Sequence, residues 1–321
     1  MKTRLALTLL GTVLLTAPAA FSQAPAATSG VVGFSSLACP AGASIVVPTL
    51  VNSSVYQGSA VISGSTVTPS TAPGWVVGAY NATSFTLPAP NYPRFYVEIV
   101  SGVNEGKIID ITSNNGTSLT LASPGPAGTF TVAIREHVTL DKVVQGAVGL
   151  SDITDSVDVY GSDGVSGTRV TRLYNAGTWM TDDFSYNAGH TVIYPGSGFI
   201  LSATAPVTFN FMGEVKPTKT QINLYANAVN IVGPLSPASS QSLYNNSLAT
   251  TMQPILDSFN TFTTNGSFTI QASYLSDGSQ ITDSTFTPLS PSSTDAIPLN
   301  RGIVVSVIGD AVWVNNSPIA P

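Results

Sequence analysis

The chain contains two histidines, and each lies near carboxylates in the sequence. His137 precedes Asp141, and His190 follows Asp182 and Asp183. An imidazole held by a carboxylate can act as a general base. A surface or loop position explains both histidines more simply, and no G-x-S-x-G sequence supplies an activated serine. We therefore predict no catalytic residues and lean against an enzyme, while the question stays open.

Four aspartates lie close together and end in an Asp-Gly turn. Oxygen ligands on a turn suit calcium, although the spacing and the terminal glutamate of an EF-hand are missing. The alternative is that these are turn and strand-edge residues that keep the protein soluble. Two histidines and the single cysteine match no zinc spacing. The candidate calcium ligands are Asp152, Asp155, Asp158 and Asp163.

Glycoside hydrolysis needs two carboxylates that flank a sugar. The chain has only four glutamates, Glu98, Glu105, Glu136 and Glu214. We expect Glu98 to point outward from a strand and Glu105 to lie in a turn, so no catalytic pair is identified. A secreted hydrolase therefore ranks third among our hypotheses.

The three tryptophans, Trp75, Trp179 and Trp313, fall in different parts of the chain. Trp179 together with Tyr174 and Tyr186 could stack on a sugar ring, which predicts a ligand-binding site at these three residues. The alternative is that each tryptophan anchors a hydrophobic core, because its large apolar area favours burial.

The elements that position these residues are predicted to be strands. Charged residues make up only 9% of the chain and hydrophobic residues 43%, so Ser, Thr, Asn and Gly must form much of the surface. Apolar and small polar residues alternate at 129–135, 207–211 and 268–274, and Asn-Gly or Asp-Gly turns separate such segments. The predicted class is all-β, an N-terminal barrel or sandwich followed by two weakly repeated sandwich-like modules. Pro254 interrupts the one helical stretch, 240–262, which predicts at most one short helix.

Residues 1–22 have the pattern of a secretory signal peptide. Lys2 and Arg4 precede an apolar run that is too short to span a membrane, and Ala20-Phe21-Ser22 fits a cleavage site. This predicts a protein of the extracellular space, cell surface or periplasm, with no transmembrane helix in its mature form. Cleavage changes the formal charge from −6 to −8, and the remaining basic residues are scattered. We therefore expect no nucleic-acid partner.

The second half of the chain contains a weak internal repeat. Residues 192–202 align with 296–306 at an offset of 104, with a chance likeness between β-rich segments as the alternative. The predicted organisation is a flexible N-terminal segment at 23–44, an N-terminal β domain at 45–139, and modules at 140–235 and 236–321.

The most distinctive segment is predicted to be a three-stranded meander. Residues 95–114 form two strands around a tight turn bounded by Gly102 and Gly106. Asn115-Gly116 then turns into a third strand at 118–121.

This meander carries the pattern YVEI-x-SG-x-x-EG-x-x-x-x-I-x-x-N. Together with Pro195-Gly196-Ser197-Gly198-Phe199 and Gly213-Glu214-Val215, it resembles a family of secreted, Gly- and Thr-rich bacterial proteins of unassigned function. The resemblance extends over about residues 45–235 and more loosely over the rest. It implies a secreted β-rich protein and carries no active site with it.

These observations predict a secreted or cell-surface structural protein without catalytic activity that assembles with itself. Uncharged Thr- and Asn-rich faces favour assembly because they are easier to desolvate than charged ones. The alternative is an extracellular carbohydrate- or ligand-binding module with a polysaccharide partner, dependent on calcium if the four aspartates bind it. An outer-membrane barrel is a further alternative, although the chain ends in Ile319-Ala320-Pro321 rather than an aromatic strand.

Overall fold

The structure is a computed structural model that describes residues 30–82, 92–236, 240–244 and 246–316. The predicted signal peptide lies outside the described residues. The all-β prediction is confirmed, because strands form one closed barrel and several small sheets. The strands are β1 Val32–Cys39, β2 Gly42–Val46, β3 Ser54–Ser63, β4 Thr66–Pro69, β5 Phe95–Ile99, β6 Ile108–Asn114, β7 Leu119–Leu121, β8 Gly128–Glu136, β9 Val138–Thr139, β10 Ala147–Val148, β11 Ser156–Tyr160, β12 Arg169–Asn175, β13 Thr178–Thr181, β14 Val192–Ile193, β15 Phe199–Ala203, β16 Val207–Glu214, β17 Thr220–Leu224, β18 Asn230–Val232, β19 Gln241–Ser242, β20 Ser258–Phe262, β21 Ile270–Ser276, β22 Ile281–Asp283, β23 Ala296–Ile297, β24 Ile303–Ser306 and β25 Ala311–Asn315.

Strands β3–β8 form the six-stranded barrel, in the order β3-β4-β7-β6-β5-β8, which β8 closes by pairing with β3. The predicted meander is confirmed as β5, β6 and β7, which are neighbours in the barrel. In β5, Phe95, Val97 and Ile99 belong to the barrel core. Tyr96 and Glu98 alternate with them and are also buried. The outer wall of β5 is therefore covered by other parts of the chain.

The other strands form two modules of the same topology. The first module consists of β1, β2 and β9–β16, and the second of β17–β25. Their five-stranded sheets have the equivalent orders β13-β12-β11-β15-β2 and β22-β21-β20-β24-β18. Each module also pairs its first strand with its last, β1 with β16 and β17 with β25. The segments that align in the sequence, 192–202 and 296–306, lie at the equivalent strand pairs β14–β15 and β23–β24.

The loops of the two modules repeat as well. Ile153 and Ile255 both have φ of 69°, and Phe184 and Phe286 have φ of 56° and 62°. Positive φ is uncommon for residues other than glycine and is unusual for a β-branched one. Its recurrence at matching turns indicates that the modules share their detailed backbone path.

The barrel lies in the connection between β2 and β9 of the first module. In the second module, the corresponding stretch of sequence between the end of β18 at Val232 and the start of β19 at Gln241 is far shorter. The predicted boundaries therefore need correction. Part of the segment predicted to be flexible, 23–44, forms β1 and the start of β2, because these strands complete the sheets of β16 and β15. The second module begins at Thr220 rather than at residue 236.

The two modules pack against each other in a reciprocal way. After β2, the Val47 N–H donates to the Asn300 carbonyl at 3.0 Å, and after β18 the Gly233 N–H donates to the Gly196 carbonyl at 2.9 Å. Because Gly196 and Asn300 occupy equivalent turns, the contact resembles the isologous interface of a two-fold dimer. The small core between the modules contains Ile45, Val47 and Ile231.

The described chain contains two short helices, α1 at Leu140–Val144 and α2 at Leu248–Thr251. The prediction of at most one helix is therefore wrong. Helix α2 lies in the predicted stretch and ends before Pro254. Helix α1 escaped prediction because a single turn, capped by the Thr139 side chain, has no periodic sequence pattern. No helix in the described ranges is long and apolar enough to cross a membrane.

Candidate functional site

A cleft of about 430 Å³ opens where the barrel meets the first module. One wall comes from the chain that enters β5 and leaves β8, and the other from β9, α1 and the loop before β14. The cleft therefore gathers both histidines of the chain, His137 and His190. The other polar groups in its lining include Asn52, Arg94, Glu136, Asp141, Lys142 and Gln145.

His137 is held in the cleft wall by the carboxylate of Asp110, which is not one of the carboxylates close to it in the sequence. The imidazole Nε2 lies 2.9 Å from Oδ1 of Asp110 on β6, and the Tyr194 hydroxyl donates to Oδ2 of the same carboxylate at 2.6 Å. The imidazole packs against Tyr96 and Tyr194, with ring centroids 4.7 and 4.9 Å away. Burial, and then the Asp110 charge, raise the pKa of Tyr194, so its hydroxyl stays protonated and donates.

This arrangement holds the imidazole of His137 in one tautomer. The Asp110 carboxylate accepts the Nε2 proton, which leaves Nδ1 as a buried acceptor without a hydrogen-bond partner in the described chain. Such an imidazole can accept a hydrogen bond or a proton from a bound hydroxyl. The carboxylates nearby in sequence have other partners, since Asp141 accepts from Thr178 and Asp183 from Ser185.

A buried network of charges joins the barrel to the segment between the modules. Glu98 Oε2 accepts from Arg135 Nε at 2.9 Å, and Glu98 Oε1 lies 2.8 Å from Lys216 Nζ. Arg135 Nη2 also donates to Glu214 Oε1 at 2.7 Å, and the Thr218 hydroxyl donates to Glu98 at 2.6 Å. All four charged side chains are buried.

The expectation that Glu98 points outward into solvent is wrong. Its side chain does leave the barrel core, but the segment 214–219 covers it completely. Burial raises the pKa of Glu98, but Lys216 and Arg135 outweigh it, and the net pKa lies below the usual value. Glu98 therefore stays ionised, and the network serves as a joint between barrel and modules. Glu98 and Glu214, from two of the motifs behind the family resemblance, both bind Arg135.

The structure does not bring the four predicted calcium ligands together. Asp152, Asp158 and Asp163 each accept a hydrogen bond from a nearby loop or strand. Asp155 is fully buried and accepts two backbone N–H groups, each at 2.9 Å. Across the described ranges, no group of three or more His, Cys, Asp or Glu residues could hold a metal ion. Calcium binding stays a prediction, without a shared site at these positions.

The predicted stacking site does not form as expected. Trp179 is fully buried in the core of the first module, where the Tyr174 ring packs against its edge at 5.5 Å between centroids. A sugar therefore has no access to the indole of Trp179, and Tyr186 stands half-buried in the turn after β13. Trp313 is fully buried in the second module and Trp75 packs on the barrel core. The alternative interpretation, that the tryptophans anchor separate cores, explains their positions.

One side of the β1-β16-β10 sheet carries four large apolar side chains that the described chain leaves exposed. Val32, Phe34, Val148 and Met212 are 68%, 63%, 67% and 74% exposed. Phe34 and Met212 are direct neighbours across β1 and β16, and Val32 lies two residues before Phe34 on the same side of β1. These four residues are termed the apolar face.

A groove of about 390 Å³ borders the apolar face. Val32 and Met212 line this groove too, and Leu50 and Val143 add to its apolar wall. Lys142 is the one ionisable side chain among the described residues that line it. The surface therefore presents a protruding aromatic ring beside an apolar groove, a pair of features that can complement each other between two molecules.

Fold and site together define an all-β protein whose six-stranded barrel is inserted into the first of two similarly folded modules. No protein-family model matches the chain, and the searches of curated proteins and of solved structures give no significant match. The resemblance to secreted Gly- and Thr-rich proteins therefore stays a prediction.

Proposed function

We propose that the protein is a secreted or cell-surface structural protein that assembles with itself rather than a catalyst. The observation that carries the proposal is the apolar face, where four large side chains are more than half exposed. Such side chains scattered singly are common, but Phe34 and Met212 adjoin each other across two strands. Their burial against a second copy would remove them from water and favour association.

The charge distribution supports a second copy as the occupant of this face. The chain has a formal net charge of −6 before cleavage, so random contacts between copies are repulsive. The groove beside the apolar face contains no carboxylate among its described lining residues. The negative charge is therefore not concentrated in the groove, so repulsion between carboxylates does not oppose contact there.

The edge of β1 offers a second means of association. The Ser36 and Ala38 carbonyls at this edge accept from Asn300 Nδ2 at 3.4 Å and Arg301 Nη2 at 2.8 Å. The other half of the edge, at residues 32–34, pairs with no strand in the described ranges. An open strand edge is a template for pairing with another chain, so β1 of a second copy can extend this sheet.

The test compares the mature wild-type chain with the double variant Phe34→Ser/Met212→Ser in sedimentation velocity. We expect wild-type association to strengthen with concentration and the double variant to associate at least about tenfold more weakly. This follows because burying one large apolar side chain contributes about 1.5–3 kcal/mol, and about 1.4 kcal/mol is tenfold in affinity.

The matched control is Val103→Ser, which removes an even more exposed apolar residue from the β5–β6 turn of the barrel. It should associate like the wild type, and all three proteins should have similar melting temperatures. A wild-type chain that stays monomeric, or a double variant that associates as strongly as the wild type, would overturn the proposal.

A further inference from the structure

The cleft between barrel and first module has the size and lining of a ligand site. Its volume of about 430 Å³ lies within the range of about 300–1,000 Å³ that is usual for small-molecule pockets. Its walls come from two separate bodies that the buried Glu98–Arg135–Glu214 network holds together. The cleft is therefore a built space between joined domains, a common place for a binding site.

The hydrogen-bonding groups in the cleft are mixed in kind. Gln145 offers an amide, Glu136 and Asp141 offer carboxylate acceptors, and Lys142 offers an ammonium donor. The Asn52 amide nitrogen already donates to the Glu136 and His137 carbonyls. Adjacent hydroxyls on a sugar each donate and accept, so they need donors and acceptors side by side. An anion or a cation would instead require a lining dominated by one sign of charge.

The formal charges in the cleft nearly balance. Arg94 and Glu136 form an ion pair at 3.0 Å, and Lys142 and Asp141 contribute one charge of each sign. The lining therefore favours a neutral ligand. Tyr92 is half-buried in the wall, and its ring offers an apolar surface. The face of a neutral ligand that carries C–H groups could pack against this surface.

One buried atom in the wall lacks a partner. His137 is only 2% exposed, and its Nδ1 has no hydrogen-bond partner in the described chain. A buried acceptor left unpaired destabilises the fold, because it loses the hydrogen bond that water makes to it in the unfolded chain. In the neutral imidazole whose Nε2–H donates to Asp110, Nδ1 carries the lone pair, so a ligand hydroxyl is a suitable donor for it.

From these observations we infer that the cleft binds a neutral saccharide, with His137 Nδ1 accepting one sugar hydroxyl and Tyr92 packing against the ring. The inference does not rest on the proposed self-association. The site also differs from the three aromatic residues that the sequence suggested, because Trp179 is inaccessible.

The test applies the mature full-length chain to an array of neutral and uronic-acid oligosaccharides. We expect binding to at least one neutral glycan and none to the acidic glycans alone. Glu136→Gln and Tyr92→Ala should each reduce that binding at least tenfold. The control Glu105→Gln makes the same chemical change in the β5–β6 turn and should bind like the wild type.

A second measurement follows the ¹⁵N resonance of His137 Nδ1 during titration with the glycan that binds. In the wild-type chain this resonance should shift towards the value of a hydrogen-bonded nitrogen. The measurement therefore tests the inference even if Tyr92→Ala folds poorly. The inference would be overturned if no neutral glycan on the array bound, or if both cleft variants kept wild-type binding. An unchanged Nδ1 resonance on addition of the glycan would also overturn it. None of these outcomes bears on self-association.

Discussion

Two ion pairs in the barrel differ in burial, and this difference determines what each contributes. The Glu98–Arg135 pair is buried, whereas the Arg94–Glu136 pair is about half exposed on both sides. Removing one partner of a buried pair leaves the other charge uncompensated, at a cost of about 3–5 kcal/mol. Exposed pairs contribute at most about 1 kcal/mol.

We therefore expect Glu98→Gln to lower the free energy of unfolding by about 3–5 kcal/mol, because Arg135 and Lys216 remain buried. Arg94→Ala should lower it by about 1 kcal/mol or less. Urea unfolding followed by tryptophan fluorescence measures both values. Equal losses in the two variants would contradict the structural role of the buried network.

The same network predicts how stability depends on pH. Burial raises the pKa of Glu98, but Lys216 and Arg135 lower it more, so the folded pKa lies below the usual 4.5. A carboxyl with a lowered folded pKa stabilises the fold above its unfolded pKa, and this contribution is lost as the pH falls through the folded value. Between pH 7 and 3, the wild-type free energy of unfolding should fall more steeply below pH 4.5 than that of Glu98→Gln. Parallel curves would contradict this assignment.

At the level of single residues, the sequence did not show which side chains contact each other in the folded chain. The partners of His137, Asp110 and Tyr194, lie on different bodies, so no local spacing indicated them. Glu98 was misplaced because alternation shows which side of a strand a residue occupies but not what covers that side.

At the scale of elements, one buried aspartate shows how the modules repeat. Asp155 in the first module accepts two backbone N–H groups, and Asp257 in the second accepts those of Gln253 and Ile308 at 2.7 and 2.9 Å. The two aspartates occupy equivalent positions, and each links a loop to the end of a strand through these hydrogen bonds. This shared role accounts for Asp155 without a metal ion.

Two equivalent glycines, Gly198 and Gly302, allow close backbone packing within each module and lead to a prediction. A Cβ on Gly198 would lie 2.5 Å from the Val46 carbonyl oxygen, and one on Gly302 would lie 2.7 Å from that of Val232. Gly198→Ala and Gly302→Ala should therefore each destabilise the protein by about 1–3 kcal/mol through overpacking. Thermal unfolding by calorimetry measures the loss.

The control is Gly116→Ala, because a Cβ there would make only an ordinary contact of 3.6 Å with the Trp75 carbonyl oxygen. It should change stability by less than about 0.5 kcal/mol, as surface substitutions usually do. If Gly198→Ala and Gly302→Ala were as stable as Gly116→Ala, the backbones at these two positions would not approach as closely as described.

The positions of several strands and turns were predictable from the sequence, whereas the pairing of distant strands was not. Alternation and Gly-bounded turns indicated β5, β6 and β7, and the offset of 104 pointed to equivalent strands in the modules. The role of β1 was missed because its short, Ser- and Gly-rich alternation resembles a linker. Its partner, β16, lies far along the chain, and pairing over such a distance leaves no local pattern.

At the scale of the whole molecule, the barrel is held by contacts to both modules. The buried charge network covers β5 and β8, and the Gln221 N–H of β17 donates to the Gly106 carbonyl in the β5–β6 turn at 3.1 Å. The insertion creates the cleft with His137 and His190 at the junction. Asn52, Lys142 and Gln145 line both this cleft and the groove beside the apolar face, so the two surfaces adjoin.

Each of the two adjoining surfaces also contains residues that the other surface lacks. Tyr92 and Glu136 line only the cleft, whereas Phe34 and Met212 belong to the apolar face. The all-β class and the absence of basic clusters were accessible to sequence analysis. The insertion of the barrel and the exposure of the apolar face depend on pairing between distant segments, so only the three-dimensional structure defines them.

The most direct test of self-assembly is the solution mass of the mature chain by light scattering at rising concentration. The measurement is made once with calcium and once with a chelator, since the candidate aspartates share no site. We expect the mass to rise above that of the monomer with concentration, equally in both conditions. A mass that stays monomeric at every concentration in both conditions would contradict the account.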